Sequence, residues 1–220
     1  VTRGAGKDSS SGDAVAFRLR SREARFGGQF VLIAERLVEE AQLLAETLGC
    51  DTRERRRLAA AVQDVDRAVG AATHGVLRAL AAAFVTPIDR VDVYRLVWEL
   101  RNCSRRMEAV VDLITVFELG SLPSGMTDQV GHVVRAADLT REVMPRLGQT
   151  RVMSEAWTEL TLVRTQARQV HHGLLVELTA VPGDPCQCTR LLAVGSGLDE
   201  VVAAFEGVAH VLEQIVVKES

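Results

Sequence analysis

The sequence predicts an all-α protein: six long helices arranged as two repeated antiparallel three-helix units. Three observations carry this. Apolar residues recur at spacings of three and four along most of the chain, the period of a buried helix face. No stretch alternates apolar and polar residues with period two, so no strand is expected. The interruptions coincide with proline, around Pro87, around Pro123 and in Pro182-Gly183-Asp184-Pro185. Apolar residues make up 47 % of the chain and aromatics only 4 %. Ala, Leu, Val, Arg and Glu carry the weight, which suits long helices in close contact.

Residues 1–16 are rich in Gly, Ser and Asp and read as a disordered tail. Residues 17–220 read as one helical domain. In the first helix, Phe30, Ile33, Leu37, Ala41, Leu44 and Leu48 form the apolar stripe, and Gly49 suits its C-terminal cap. Asp51 or Thr52 caps the second helix, whose stripe is Leu58, Val62, Val65, Val69, Ala72, Val76 and Leu80. Pro87 lacks an N–H and stops that helix. The same proline is welcome at the first position of the next helix, with Thr86 as cap and Asp89 near the positive end. The third helix then carries two heptad series: Val93, Leu100, Met107 and Ile114, and Leu96, Cys103, Val110 and Phe117. Its expected length is about 45–50 Å at 1.5 Å per residue. The fourth helix is expected from Thr127 to about Leu147 and the fifth from about Ser154 to Leu178. The sixth carries Leu198, Val201, Phe205, Val208, Leu212 and Ile215.

A shift of 98 residues superposes the two halves without a gap. It matches Val62 with Leu160, His74-Gly75 with His172-Gly173, Leu80 with Leu178, Pro87 with Pro185, and Glu108 with Glu206. One register that holds helix, proline turn and helix points to a duplication, with repeat one at about 26–119 and repeat two at about 127–217. Chance agreement of two helical hairpins is the alternative.

Composition narrows the function classes. The net charge of −3 lacks the basic excess of a nucleic-acid binder. No run of about 18 uncharged apolar residues would span a membrane. The start of the chain lacks a secretory apolar core, so a cytoplasmic location is expected. The four cysteines, with Cys186-Gln-Cys188 lacking redox or zinc spacing, read as ordinary small residues of a reduced compartment.

The stretch FVTPIDRVDVYRL, with His74 about one helix earlier, and the terminal HVLEQIVVKES resemble a known family. It is the PhoU-like group of phosphate-transport regulators, which includes accessory proteins encoded beside Pit-type phosphate permeases. The resemblance covers roughly residues 26–218. It implies a six-helix, two-repeat bundle in the cytoplasm that works with a membrane phosphate transporter. It also implies multinuclear metal clusters held by E/D-x-x-x-D motifs on facing helices.

Carboxylates four apart share a helix face, and two such helices can wrap a hard cation in oxygens. The motif positions that the resemblance implies are mostly altered here. On the second helix they fall on Asp66 and Gly70, on the third on Arg101, Asn102 and Arg105, and on the fifth on Arg164 and Arg168. On the sixth they fall on Asp199, Glu200, Ala203, Glu206 and Gly207. Asp66, Asp199, Glu200 and Glu206 thus stand as weak metal remnants, and no metal or other cofactor is expected. Register counted from the tight turns sets Asp66 level with Arg105 and Gly70 with Arg101. In the second half it sets Arg168 level with Asp199 and Arg164 with Ala203. Guanidinium–carboxylate pairs among Asp66, Arg101, Arg105, Arg164, Arg168 and Asp199 are therefore expected in place of metal. The bland alternative is that these six charges are solvated bundle surface.

Other chemistry is thin. His171 and His172 adjoin on a helix, so only one can face inward, as a core histidine. His74 and His172 match across the repeat and suggest packing. His210 follows Glu206 by four, an ordinary i,i+4 contact. No Glu has His three residues on, as a di-iron bundle would require, and no phosphate loop, nucleophile elbow or zinc spacing occurs. The arginines at 53, 55, 56 and 57, with those at 18, 20, 22 and 25, could meet anionic lipid or an acidic transporter loop. They could equally be a solvated helix end.

The expected function is a non-enzymatic regulator of phosphate uptake. It would bind the cytoplasmic face of a phosphate transporter, peripheral to the inner face of the membrane, without nucleic acid. A degenerate bundle serving as an interaction scaffold unrelated to phosphate is the alternative. A homo-oligomer is compatible with either reading.

Overall fold

The computed structural model describes residues 9–83, 86, 88–119, 122–180 and 184–219, with side chains from residue 27 onward. Six helices follow in order: α1 (Ser9–Gly49), α2 (Thr52–Ala82), α3 (Arg90–Val116), α4 (Ser124–Val143), α5 (Thr150–Ala180) and α6 (Pro185–Glu219). A 3₁₀ turn, Met144–Arg146, follows α4. The described residues contain no strand.

α1 begins at Ser9, so helix runs through residues 9–16, where composition suggested disorder; residues 1–8 lie outside the described set. No proline and only Gly12 interrupt the sequence between Ser9 and Phe26. Gly49 is the last residue of α1 and has no positive φ; the left-handed positions are Glu118 (φ 47°) and Gly148 (φ 90°). Gly148 lies just past the 3₁₀ turn, where a left-handed glycine closes a helix end.

Asp51 caps α2 by accepting from the Glu54 N–H at 2.9 Å. The cap of α3 is Asp89, not Thr86: its carboxylate accepts from the Val91 N–H at 2.8 Å, and the helix starts at Arg90. Ile88, 5 % exposed, is buried in the core immediately before this cap. A charged cap beside a buried anchor wins over a hydroxyl three residues earlier. Pro87 lies outside the described residues. Arg90 then closes the hairpin, donating to the carbonyl oxygens of Ala83 (2.6 Å) and Leu80 (2.8 Å) at the end of α2, where Leu80 also accepts from the Ala83 N–H at 3.3 Å. In the second hairpin Asp184 accepts from the Cys186 N–H at 3.0 Å, and Pro185 takes the first helical position. Pro182 and Gly183 are outside the described residues. α4 ends at Val143 instead of about Leu147 because Pro145 removes a donor and crowds the preceding turn. α3 has 27 residues, about 40 Å, shorter than expected because it starts later.

Helices α2, α3, α6 and α5 lie side by side in that order, and α1 and α4 cover one side of this row. α1 packs on α2, α3 and α4; α4 packs on α1, α5 and α6. The stripes meet between the layers. Every heptad residue of α3 from Val93 to Ile114 is buried, and Phe117 is half-buried at the helix end. The stripes of α2 and α6 are buried in full. Each large aliphatic removed from water there contributes about 1.5–3 kcal/mol before the cost of ordering it. The central seam between α3 and α6 is close. A Cβ at Gly197 would lie 2.9 Å from Val110, and one at Gly207 would lie 2.5 Å from Glu99. Larger residues at either place would push the two helices apart.

Candidate functional site

The strongest polar constellation sits in the two outer grooves of the row, α2 against α3 and α5 against α6. In the first groove Asp66, mostly buried, takes a forked pair of hydrogen bonds from Arg101. Nη1 reaches Oδ1, and Nη2 reaches Oδ2 at 2.7 Å. Ser104 Oγ donates to Asp66 Oδ1 at 3.0 Å and accepts from Arg101 Nη1 at 3.2 Å. Gly70 gives the guanidinium room: a Cβ there would lie 3.7 Å from Arg101 Nε and Nη2. With no side chain at 70, Arg101 passes over that turn and reaches Asp66 on the next. Gly70 and Arg101 do stand together, as the sequence register expects, but the carboxylate is taken by Arg101 and not by Arg105. Arg105 is exposed and acts on Asp66 only through its charge.

In the second groove Arg164, 8 % exposed, holds two acids of α6. Its Nη1 and Nη2 reach Asp199 Oδ1 and Oδ2 at 2.5 and 3.1 Å, and Nε reaches Glu206 Oε2 at 3.3 Å. Ala203, between them on the helix, leaves the passage open. Arg168, expected opposite Asp199, is exposed and makes no ion pair among the described residues. Glu200 turns the other way and pairs with Arg106 of α3 across the central seam, both half-exposed.

The two buried pairs are related by position and opposite in sign. Each spans 35 residues. The 98-residue shift takes Asp66 to Arg164 and Arg101 to Asp199. The acid sits on the first helix of one hairpin and on the second helix of the other.

The electrostatics follow from burial and these contacts. Burial opposes ionisation of Asp66, but the hydrogen bonds and charge of Arg101, with help from Ser104 and Arg105, outweigh it and hold the carboxyl below its usual range. Arg101 and Arg164 are held still more firmly charged, chiefly by their bonds to Asp66 and Asp199. Glu108, one turn beyond Ser104, is pushed up by burial and by the negative charge of Asp66 and Asp112.

One member of the cluster escaped the sequence reading. Glu40 of α1 is fully buried, and neither carboxylate oxygen has a hydrogen-bond partner. Burial pushes its pKa well above the ordinary value. Ser104 stands near it, but its single proton goes to Asp66. Burial therefore favours the protonated form of Glu40. The signal was present: Glu40 lies between Leu37, Ala41 and Leu44 on the buried stripe of α1.

These residues do not fit a metal cluster. Both oxygens of Asp66 and both of Asp199 face a guanidinium, and a cation would have to enter beside a fixed positive charge. Among the described residues no three His, Cys, Asp or Glu side chains are grouped to hold an ion. The histidines stand apart from both pairs. His171 is half-buried, with Nδ1 3.2 Å from Gln129 Nε2, while His172 is exposed. His74 and His210 are also exposed, so the matched His74 and His172 do not pack inward.

A six-helix bundle with a row of four helices, two layers and polar pairs in its outer grooves defines the class: the fold is PhoU-like. Over 88 % of its length the chain is similar in structure to 99 % of a PhoU-like protein from Shewanella oneidensis MR-1, with a TM-score of 0.71 and 12 % identity. It is likewise similar, over 91 % of its length and 95 % of the other, to the phosphate transport system regulatory protein PhoU from Streptococcus pneumoniae, at a TM-score of 0.57 and 15 % identity. In sequence it is 29 % identical over 152 residues to a protein of Rhizobium meliloti (strain 1021) named "Putative pit accessory protein", covering 66 % of this chain and 71 % of that one. No family profile matches the chain. Among the described residues no helix is long and apolar enough to cross a membrane.

Proposed function

We propose that the chain is a non-enzymatic accessory protein of phosphate uptake. It binds the cytoplasmic side of a membrane phosphate transporter and adjusts its activity or abundance. The observation that carries this reading is the sequence similarity to a pit accessory protein, which coincides with a PhoU-like fold. The site supports a non-catalytic role. Asp66, Asp199 and Glu206 are each engaged by a guanidinium and so are not poised as bases. In this reading Asp66–Arg101 and Arg164–Asp199 do the structural work of the family's metal clusters, fixing the hairpins without an ion. The chain would then hold its binding face at any metal concentration.

The test is co-purification from membranes. Tagged chain, extracted in mild detergent, is expected to bring down a Pit-type phosphate permease, and deletion of the chain is expected to change phosphate uptake. Recovery of no phosphate transporter, with uptake unchanged, sinks the proposal. Elemental analysis checks the metal-free part separately: one or more tightly held iron or zinc ions per chain would overturn it.

A further inference from the structure

The chain has one tyrosine and two tryptophans, and α3 displays the tyrosine and one tryptophan to solvent. Tyr94 is 51 % exposed, Trp98 36 %, and Val91, one turn earlier, 53 %. The two rings meet edge to face with centroids 6.2 Å apart. Helical spacing puts Val91, Tyr94, Trp98 and Arg105 on one face. α3 packs on α1, α2 and α6, and this face turns away from all three. Val217, also well exposed, precedes Lys218, whose ammonium bonds Asp92 at 2.7 Å, so α6 ends at the same place.

The charges on this part of α3 are sorted. Its acids are engaged with the protein. Asp89 caps the helix, Asp92 is buried beneath Lys218, and Glu99 lies against the α6 backbone at Gly207. Arg90, Arg95 and Arg105 make no contact ion pair among the described residues, although the charge of Arg105 acts on Asp66 and Glu108. Arg95 donates to the neutral amide of Gln214 at 2.7 Å, Arg90 donates to two carbonyl oxygens, and Arg105 makes no ion pair among the described residues. The result is an aromatic ridge flanked by positive charge.

We propose that this face of α3 rests on an anionic lipid surface, with Tyr94 and Trp98 in the headgroup layer and the arginines against phosphate. The shape favours lipid over a peptide. The rings stand out from a helix as a ridge, whereas a helical or extended peptide needs a groove to lie in. Rings with an apolar body and a polar tip settle at a membrane interface. Arginines near an anionic surface add about 1 kcal/mol each. One such patch gives reversible attachment, as suits a protein that comes and goes from a transporter. The inference rests on the transporter reading for its biological setting, but its test contains no permease, so each can fail without the other.

The experiment is flotation of the full chain with vesicles of phosphatidylcholine containing about one-third phosphatidylglycerol, against pure phosphatidylcholine, at low and physiological salt. Binding is expected to the anionic vesicles only and to weaken with salt. In a Trp157→Phe background, which leaves Trp98 as reporter, the emission is expected to shift to shorter wavelength on binding. Arg95→Gln with Arg105→Gln should weaken binding roughly thirtyfold, two charges at about 1 kcal/mol each. Tyr94→Ala with Trp98→Ala should weaken it about tenfold or more. All four positions are at or near the surface, so circular dichroism and melting temperature should stay close to the parent. Failure to float overturns the proposal, as does flotation unaffected by Tyr94→Ala/Trp98→Ala. Loss of permease co-purification in that variant without any vesicle binding would assign the face to a protein segment instead.

Discussion

Replacing Arg101 by Met tests the buried pair most directly. Methionine keeps most of the side-chain volume and removes the charge. Asp66 then loses a forked ion pair and keeps only the Ser104 hydroxyl, in a site where the two side chains are 10 % and 12 % exposed. Breaking a buried pair from one side costs about 3–5 kcal/mol. The residual exposure and the Ser104 bond bring the expected loss to about 2–4 kcal/mol. For a chain of this size that is a fall in Tm of about 4–16 °C. Asp66→Asn on its own strands the guanidinium and should cost a similar amount. The double variant strands neither charge, so its loss should be smaller than either single loss, with a coupling energy of at least about 2 kcal/mol. Urea unfolding of all four proteins at neutral pH gives the cycle. Additive losses, with no coupling, would show that the two groups are solvated surface and would remove the basis of the site.

Three further outcomes follow from the same geometry. Burial raises the pKa of Glu40 in the fold, whereas in the unfolded chain it ionises near the ordinary value of about 4.3. Its raised folded pKa means that stability is full below the unfolded pKa and falls as pH rises towards the folded one, at up to about 1.4 kcal/mol per pH unit. Urea midpoints of the parent and of Glu40→Gln across pH 4.5–8 should diverge with that slope; parallel curves would show that Glu40 does not hold a proton. Lys218→Ala leaves Asp92, 1 % exposed, without its ammonium and should lower stability by about 2–3 kcal/mol, with Asp92→Asn in the same chain restoring part of it in thermal melts. Gly70→Asp with Arg101→Asp removes the guanidinium and supplies three acids across α2 and α3, so isothermal titration should detect divalent metal binding that the parent lacks.

Most of the architecture was legible because period-3.6 stripes and proline turns are local signals. The heptads of α3 and the stripe of α6 name buried residues almost without exception. The start of α3 was misplaced because two capping residues compete within four positions. Only the burial of Ile88, a tertiary fact, decides for Asp89. The site was half legible. The sequence shows which acids became arginine, but counting from a turn gives register only to within one helical turn. An arginine side chain is long enough to cross that turn when the residue between is glycine or alanine, as at Gly70 and Ala203. Arg105 and Arg168 were therefore assigned partners that Arg101 and Arg164 hold. Glu40 was missed for another reason. A single acid on an apolar stripe looks like the stripe's edge, and only packing from α3 shows it enclosed.

The inverted polarity of the two pairs has a physical consequence for the seam between the halves. Across the row, the buried pair residues run Asp66, Arg101, Asp199, Arg164. The neighbouring central helices thus carry opposite signs. At the level of the buried pairs α3 has Arg101, Arg105 and Arg106 and α6 has Asp199, Glu200 and Glu206, although Glu99 of α3 also reaches the seam at Gly207. Near these pairs Arg106 of α3 reaches Glu200 of α6 across the seam, while at the far end the polarity is reversed, with Lys218 of α6 on Asp92 of α3. Had both hairpins kept the same polarity, α3 and α6 would present like charges where Gly197 and Gly207 bring them closest, and like charges at such range repel. A cation between acidic helices would relieve that repulsion from outside. In a chain that builds its own positive charge, the arginine can come from either helix of a hairpin, and taking it from α3 in one half and from α5 in the other leaves Arg101 and Asp199, on the adjacent central helices, with opposite signs.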